Sequence, residues 1–148
     1  MATDTTFTPQ VLGETEKALN GILLRELAEA ALTEHQWIVL RLTMVAGGEV
    51  AREQLVGRLG GALKVGAAEA EARVDELVAA GLLASSDGGL VSATEAGAHV
   101  HARVRGTVSE ITHRLWGDLP AADLEVTGRT LATILERANA HYGAGLTL

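Results

Sequence analysis

Apolar residues at Leu12, Leu19, Ile22, Leu23 and Leu27, with Thr15 filling one gap, recur at close to three- and four-residue spacing and predict a helix from about Val11 to Ala31. Ahead of it, residues 1–10, with their threonines and Pro9, read as a loose arm. A second helix opens at Thr33-Glu34-His35-Gln36, which has the form of a capping box. In that motif the threonine oxygen takes an unpaired N–H of the first turn, and the glutamine reaches back to the N–H of the cap. The WIVLRLTMVA that follows is apolar nearly all round, so this helix belongs inside a core. Gly47-Gly48 ends it.

Ala51 to Leu59 then reads as a short helix with Leu55, Val56 and Leu59 apolar, followed by a tight turn at Gly60-Gly61. A longer helix runs from about Gly66 to Ala80, with Ala70, Val74 and Leu77 inward and Gly81 as its terminator. Two helices around a tight glycine turn fit a helix-turn-helix, and fit an ordinary helical hairpin as well. The next segment tips the balance. Leu82 to Ala93 is two short strand-like runs around Asp87-Gly88-Gly89, and Asp-Gly predicts a type I′ hairpin, whose two central residues need positive φ. A hairpin directly after a helix-turn-helix is a wing. Thr94 caps a helix from Glu95 to Trp116 with the stripe Val100, Val104, Val108, Ile111 and Leu115; Gly106 inside it costs about 1 kcal/mol relative to alanine. Pro120 suits the first turn of a last helix with Leu124, Leu131, Ile134, Leu135 and Ala138 apolar.

The predicted fold is therefore mainly α, a winged helix-turn-helix with one short β-hairpin wing, flanked by N- and C-terminal dimerisation helices. Residues 1–148 form a single domain in this reading, with 33–105 as the winged region and 1–32 and 106–148 as the dimerisation helices. The outer helices carry more apolar stripe than so small a winged region covers, which predicts a twofold homodimer.

Composition removes other classes. At 47 % hydrophobic residues the chain is not a disordered one, and with no cysteine it has no disulfide, thiolate zinc site, iron–sulfur cluster or cysteine nucleophile. The longest apolar run, Trp37 to Ala46, is too short to span a bilayer and contains Arg41 and Thr43. MATDTTFTPQ lacks the basic stretch and apolar core of a secretory signal, so a cytoplasmic location is expected, without a membrane partner. The net charge of −7 argues against a nonspecific nucleic-acid coat. Residues 51–105, with six Lys/Arg against seven Asp/Glu, are the least acidic part of the chain. His99 and His101 point about 200° apart on a helix, and His35, His113 and His141 lie on others, so no metal is expected. No phosphate-binding glycine loop and no nucleophile elbow occurs, so no catalytic residue, cofactor or enzymatic activity is predicted.

In order and in several fixed residues the chain resembles the multiple-antibiotic-resistance regulator (MarR) family over roughly residues 11 to 140. Leu32-Thr33-x-x-Gln36-Trp37-x-Val39-Leu40-Arg41 resembles the opening of the family's second helix. Val74-Asp75-x-Leu77-x-x-x-Gly81-Leu82-Leu83 resembles the end of its recognition helix and the start of its wing, and Thr94-x-x-Gly97 the segment leaving the wing. The resemblance implies a dimeric regulator that binds double-stranded DNA, often with a small-molecule effector in a cleft between its dimerisation and DNA-binding parts. Two departures stand out. The family's wing usually carries an Asp-x-Arg element, whereas here no Lys or Arg lies between Arg73 and Arg103. The first half of the recognition helix is VGAAEAEAR, where relatives commonly place Ser, Thr, Gln or Arg.

DNA binding needs cations for phosphate and polar groups or methyls for base edges. Candidate phosphate contacts are Arg52, Arg58, Lys64 and Arg73. The base-facing residues are Ala67, Ala68, Glu69 and Ala72, with Ser85, Ser86, Asp87 and Gly88 at the wing. Glu69 and Glu71 have three readings: they favour the helix dipole, they accept from a cytosine amino group, or they repel phosphate. Glu69 also stands four residues before Arg73, a spacing for a helical ion pair. For an effector cleft the candidates are His35, Trp37, His101 and Arg105, with Trp37 equally suited to the core. The alternative to an operator-reading dimer is a MarR-like dimer that has lost strong DNA binding and acts through a protein partner or a bound small molecule.

Overall fold

The computed structural model describes residues 6–146 of the chain. The part of the expected N-terminal arm at 1–5 lies outside the described residues. Six helices and three short strands follow in order: α1 Pro9–Glu29, α2 Glu34–Val45, β1 Glu49–Ala51, α3 Arg52–Leu63, α4 Ala67–Ala79, β2 Leu83–Ser85, β3 Leu90–Ala93, α5 Glu95–Trp116 and α6 Ala121–Leu146. The chain divides into two compact units, Met1–Ser109 and Glu110–Leu148, with α5 running from the first into the second.

In the first unit the core is a cluster from every helix present and from each strand. Leu27 of α1, Val39 and Leu40 of α2, Leu55 and Leu59 of α3, Val74 and Leu77 of α4, Leu83 and Val91 of the wing and Val104 of α5 are all buried. Burying a leucine-sized side chain is worth about 1.5–3 kcal/mol, so this cluster, reached from all sides, fixes the angles of the winged helix. The capping box forms as expected. Gln36 N–H donates to Thr33 Oγ1 at 3.2 Å and Thr33 N–H to Gln36 Oε1 at 3.1 Å. The same Gln36 donates from Nε2 to Glu76 at 3.0 Å, tying the start of α2 to α4.

The motif residues have definite mechanical roles. Gly81 takes φ +78 just beyond α4, where its N–H donates to the Val78 carbonyl and Leu82 N–H to the Leu77 carbonyl. That pair of bonds is the Schellman closure of a helix, and it turns Leu83 into the core. Thr94 caps α5 by accepting from Gly97 N–H at 3.0 Å and donates to the Gly81 carbonyl at 2.7 Å. A Cβ on Gly97 would lie 2.0 Å from the Leu82 carbonyl oxygen, so only glycine lets α5 start this close to the end of α4.

Four details differ from expectation. First, α1 starts two residues earlier, at Pro9 with Thr8 as its cap, and ends at Glu29 because Ala31 turns left-handed at φ 58. Second, α3 does not turn at Gly60-Gly61. It continues to Leu63, held by the partly buried Leu63 and Val65, and ends at Lys64 in a left-handed conformation. The glycine still matters there, since a Cβ on Gly60 would meet the Val65 carbonyl oxygen at 3.3 Å. Third, the wing is the outer part of a three-stranded antiparallel sheet of order β1-β3-β2, with Val50 opposite Val91. Val50 and Val91 are both buried, which makes this three-residue segment a strand. Fourth, the hairpin turn is not type I′. Gly89 N–H donates to the Ser86 carbonyl and only Gly89 has positive φ, so Asp87-Gly88 are the centre of a type I turn followed by a left-handed glycine.

The second unit contains the end of α5 and all of α6. Gly117 closes α5 by donating to the His113 carbonyl at 2.8 Å, and Pro120 stands immediately before α6. No described residue of α6 is buried; Val126, Leu135 and Tyr142 are exposed large apolar residues.

Candidate functional site

The helix-turn-helix is α3, the turn Lys64–Gly66 and α4, with β2 and β3 as its wing. Gly66 is the cap of α4, and Ala67, Ala68 and Glu69 in the first turn are all exposed. Ala72 and Arg73, one turn on, are half-buried. Ser85, Ser86, Asp87 and Gly88 are exposed at the wing tip, where Ser86 Oγ accepts from Leu90 N–H at 3.2 Å. All of these candidates therefore belong to one winged helix-turn-helix.

The cations of this edge are in a different state from the one their sequence positions suggest. Arg52, the first residue of α3, donates from Nε to Glu71 at 2.7 Å and from Nη2 to Asp75 at 2.5 Å, both on α4. The hydrogen bonds to Asp75 and then Glu71 hold its guanidinium above its ordinary value, so it is permanently charged and doubly paired. Arg73 pairs with Glu76, three residues on, at 3.2 Å, rather than with Glu69, and its Nε is buried with no hydrogen-bond partner among the described residues. Lys64 donates to the Gly61 carbonyl at 2.7 Å, closing its own helix. Arg58 is exposed and has no ion pair among the described residues. α4 carries four carboxylates, Glu69, Glu71, Asp75 and Glu76, against Arg73 alone. Sequence spacing could not show the Arg52 pairs, whose members lie 19 and 23 positions apart.

A second feature lies where α1, α2 and α5 meet. Trp37 of α2 and His101 of α5 are both buried and stack, ring centroids 5.4 Å apart and planes 20° from parallel. They line a cleft of about 400 Å³ whose other walls are Leu23, Met44, Val45 and Val108, with Arg41 and Arg105 also in its lining. Burial first, then the charges of Arg105 and Arg41, push the His101 imidazole below its ordinary pKa, which favours the neutral ring. Neither arginine has an ion pair among the described residues. An apolar wall with two unpaired guanidinium groups suits a small anion with an aromatic or alkyl body. Of the expected cleft residues Trp37, His101 and Arg105 come together. His35 does not, because two positions before Trp37 a helix points the other way. Arg41 and Met44 were missed, although they stand four and seven residues after Trp37, on its own face.

Among the described residues no group of three or more His, Asp or Glu side chains is placed to hold a metal ion, and no helix is long and apolar enough to cross a membrane. No protein-family model and no curated protein matches the sequence. Solved structures do. A MarR family transcriptional regulator from Silicibacter pomeroyi DSS superposes with a TM-score of 0.73 at 25 % identity over 90 % of each chain. The reduced form of MarR from E. coli gives 0.66 at 19 % identity, over 89 % of this chain and 96 % of that one. NadR in complex with 4-hydroxyphenylacetate gives 0.70 at 18 % identity, over 87 % and 95 %. The chain is a winged helix-turn-helix protein. Its fold is that of the MarR family transcriptional regulators, as the Leu32–Arg41, Val74–Leu83 and Thr94–Gly97 segments suggested.

Proposed function

We propose that this protein is a homodimeric transcriptional regulator of MarR type, not an enzyme, which acts in the cytoplasm on an inverted-repeat operator in double-stranded DNA. Its hold on DNA answers to a small aromatic or alkyl anion in the Trp37–His101 cleft. The observation that carries the reading is the presentation of α4. Its first turn, Ala67, Ala68 and Glu69, is exposed beside an exposed wing tip, the arrangement in which a recognition helix lays its N-terminal residues against base edges. The methyls of Ala67, Ala68 and Ala72 suit thymine methyls, and Glu69 suits the cytosine amino group. The homodimer is supported by apolar side chains left uncovered, Leu19 and Leu24 on α1 and Val126, Leu135 and Tyr142 on α6. The effector class is supported by the cleft chemistry and by the aromatic acid bound in NadR.

One observation favours a second reading. Arg52 and Arg73 are engaged with carboxylates of α4, and a dimer whose reading helix is this acidic is suited to act through a protein partner or a bound small molecule instead. Titration of a labelled duplex from upstream of its own gene, at low and at moderate salt, separates the two. The regulator reading expects saturable binding that weakens with salt, by a log–log slope of about −0.9 per phosphate neutralised. Absence of binding at low salt, with the protein folded and dimeric, defeats it and leaves the second reading.

A further inference from the structure

Arg52 occupies the junction of the three elements that meet DNA in the proposed function. It is the first residue of α3; its backbone N–H donates to the Gly89 carbonyl of the wing turn at 2.8 Å; and its guanidinium reaches α4. The same groove is lined by Ala51, Glu53 and Val56 of the β1–α3 segment, Glu71 of α4, and Gly88 and Gly89 of the wing. A guanidinium at such a junction, with glycines opposite, is a good receptor for a backbone phosphate, because its planar fork can grip two oxygens at once. Here the Nε–Nη2 edge of that fork is already taken by two carboxylate oxygens of the chain itself.

We propose that Arg52 is a phosphate site closed by an internal surrogate: the carboxylates of Glu71 and Asp75 take the places that two phosphate oxygens of duplex DNA would take. This rests on the regulator reading above and adds to it a control on affinity. Both ion pairs are weak enough to break. The Glu71 and Asp75 side chains are 45 % and 67 % exposed, against 24 % for Arg52, so solvent screens both carboxylates and weakens both pairs. Opening the pairs to admit a phosphate, however, leaves two bare carboxylates beside it. The closed arrangement therefore withholds Arg52 from DNA, and α4 presents a net negative surface although the edge contains several cations. The contact is local to α3 and α4, so its removal leaves the core residues of the fold untouched.

The test is a cycle of Arg52→Gln and the isosteric double variant Glu71→Gln/Asp75→Asn, each measured as the salt slope of binding to a mixed-sequence duplex, since phosphate contacts do not depend on operator sequence. Dimer mass and helical circular dichroism verify folding. With the surrogates neutralised, affinity at low salt rises about tenfold and the slope steepens by about 1.8, one phosphate for each protomer. Arg52→Gln leaves the slope unchanged in the natural background and removes the whole gain in slope in the neutralised one. Equal loss of slope in both backgrounds means that Arg52 already holds phosphate, and overturns the proposal. So does a gain in affinity that persists without Arg52, which is plain relief of repulsion. Binding only by the neutralised protein supports it. If none of the four proteins binds duplex at low salt, the regulator reading itself falls, a result distinct from binding without coupling.

Discussion

The cleft and the edge formed by α3, α4 and the wing use the same residue type in opposite states. In the cleft, Arg41 and Arg105 carry no ion pair among the described residues, and their charges help to keep His101 neutral. At the edge, Arg58 is likewise without an ion pair among the described residues, but Arg52 is doubly paired and Arg73 is paired within its own helix. Electrostatic readiness thus depends less on the number of cations than on whether carboxylates lie within reach. Among the described residues no acidic side chain lines the cleft, whereas α4 brings four to the edge. The first arrangement is prepared for a small anion. The second keeps two of its arginines engaged with carboxylates of the chain itself.

Three changes sharpen or break this contrast, the largest first. Trp37 is both a wall of the cleft and a member of the buried core, so Trp37→Ala is expected to cost about 3–5 kcal/mol in urea unfolding. A cost below about 1 kcal/mol would mean that the ring belongs to the cleft alone. Next, the Arg41→Ala/Arg105→Ala variant is expected to weaken binding of 4-hydroxyphenylacetate, used as a probe in calorimetry, by about a hundredfold or more, since hydrogen bonds to charged groups contribute about 1.5–3 kcal/mol each. The same probe should bind the Glu71→Gln/Asp75→Asn protein unchanged; a coupled effect would erase the separation of the two sites. The smallest effect concerns pH. The folded His101 has a lowered pKa, so the unfolded chain takes up the proton first as pH falls. Its contribution to stability is complete above the unfolded value, about 6.5, and is lost as pH falls from there to the folded value. Between about pH 7 and pH 5 the natural protein should therefore lose more stability than a His101→Gln variant, and parallel losses would contradict the burial assigned to this ring.

Much of the architecture was readable because it is written in local chemistry. Thr33 with Gln36, Gly81, Thr94 with Gly97, and the Asp87-Gly88-Gly89 turn each mark an element boundary within a few residues, and the structure uses each of them there. What could not be read depends on contacts distant in sequence. Glu49-Val50-Ala51 has only one inward residue, too little alternation to announce a strand, and becomes one because Val91 is opposite Val50. Gly60-Gly61 looked like a break, yet packing of Leu63 and Val65 carries the helix through it. The charges were least legible of all. Arg52 was one of four candidate phosphate contacts, and only folding brings Glu71 and Asp75 to it. Arg41 and Met44 share a helix face with Trp37, but on a helix apolar nearly all round the side facing a cleft does not declare itself.

In the proposed regulator, paired subunits hold two copies of α4 in register with duplex DNA. Hydroxyl-radical footprinting of the bound upstream duplex checks that placement. Two protected patches related by twofold symmetry are expected, with centres about one helical turn, or a multiple of it, apart. A single patch, or protection without symmetry while the protein is dimeric, would contradict it.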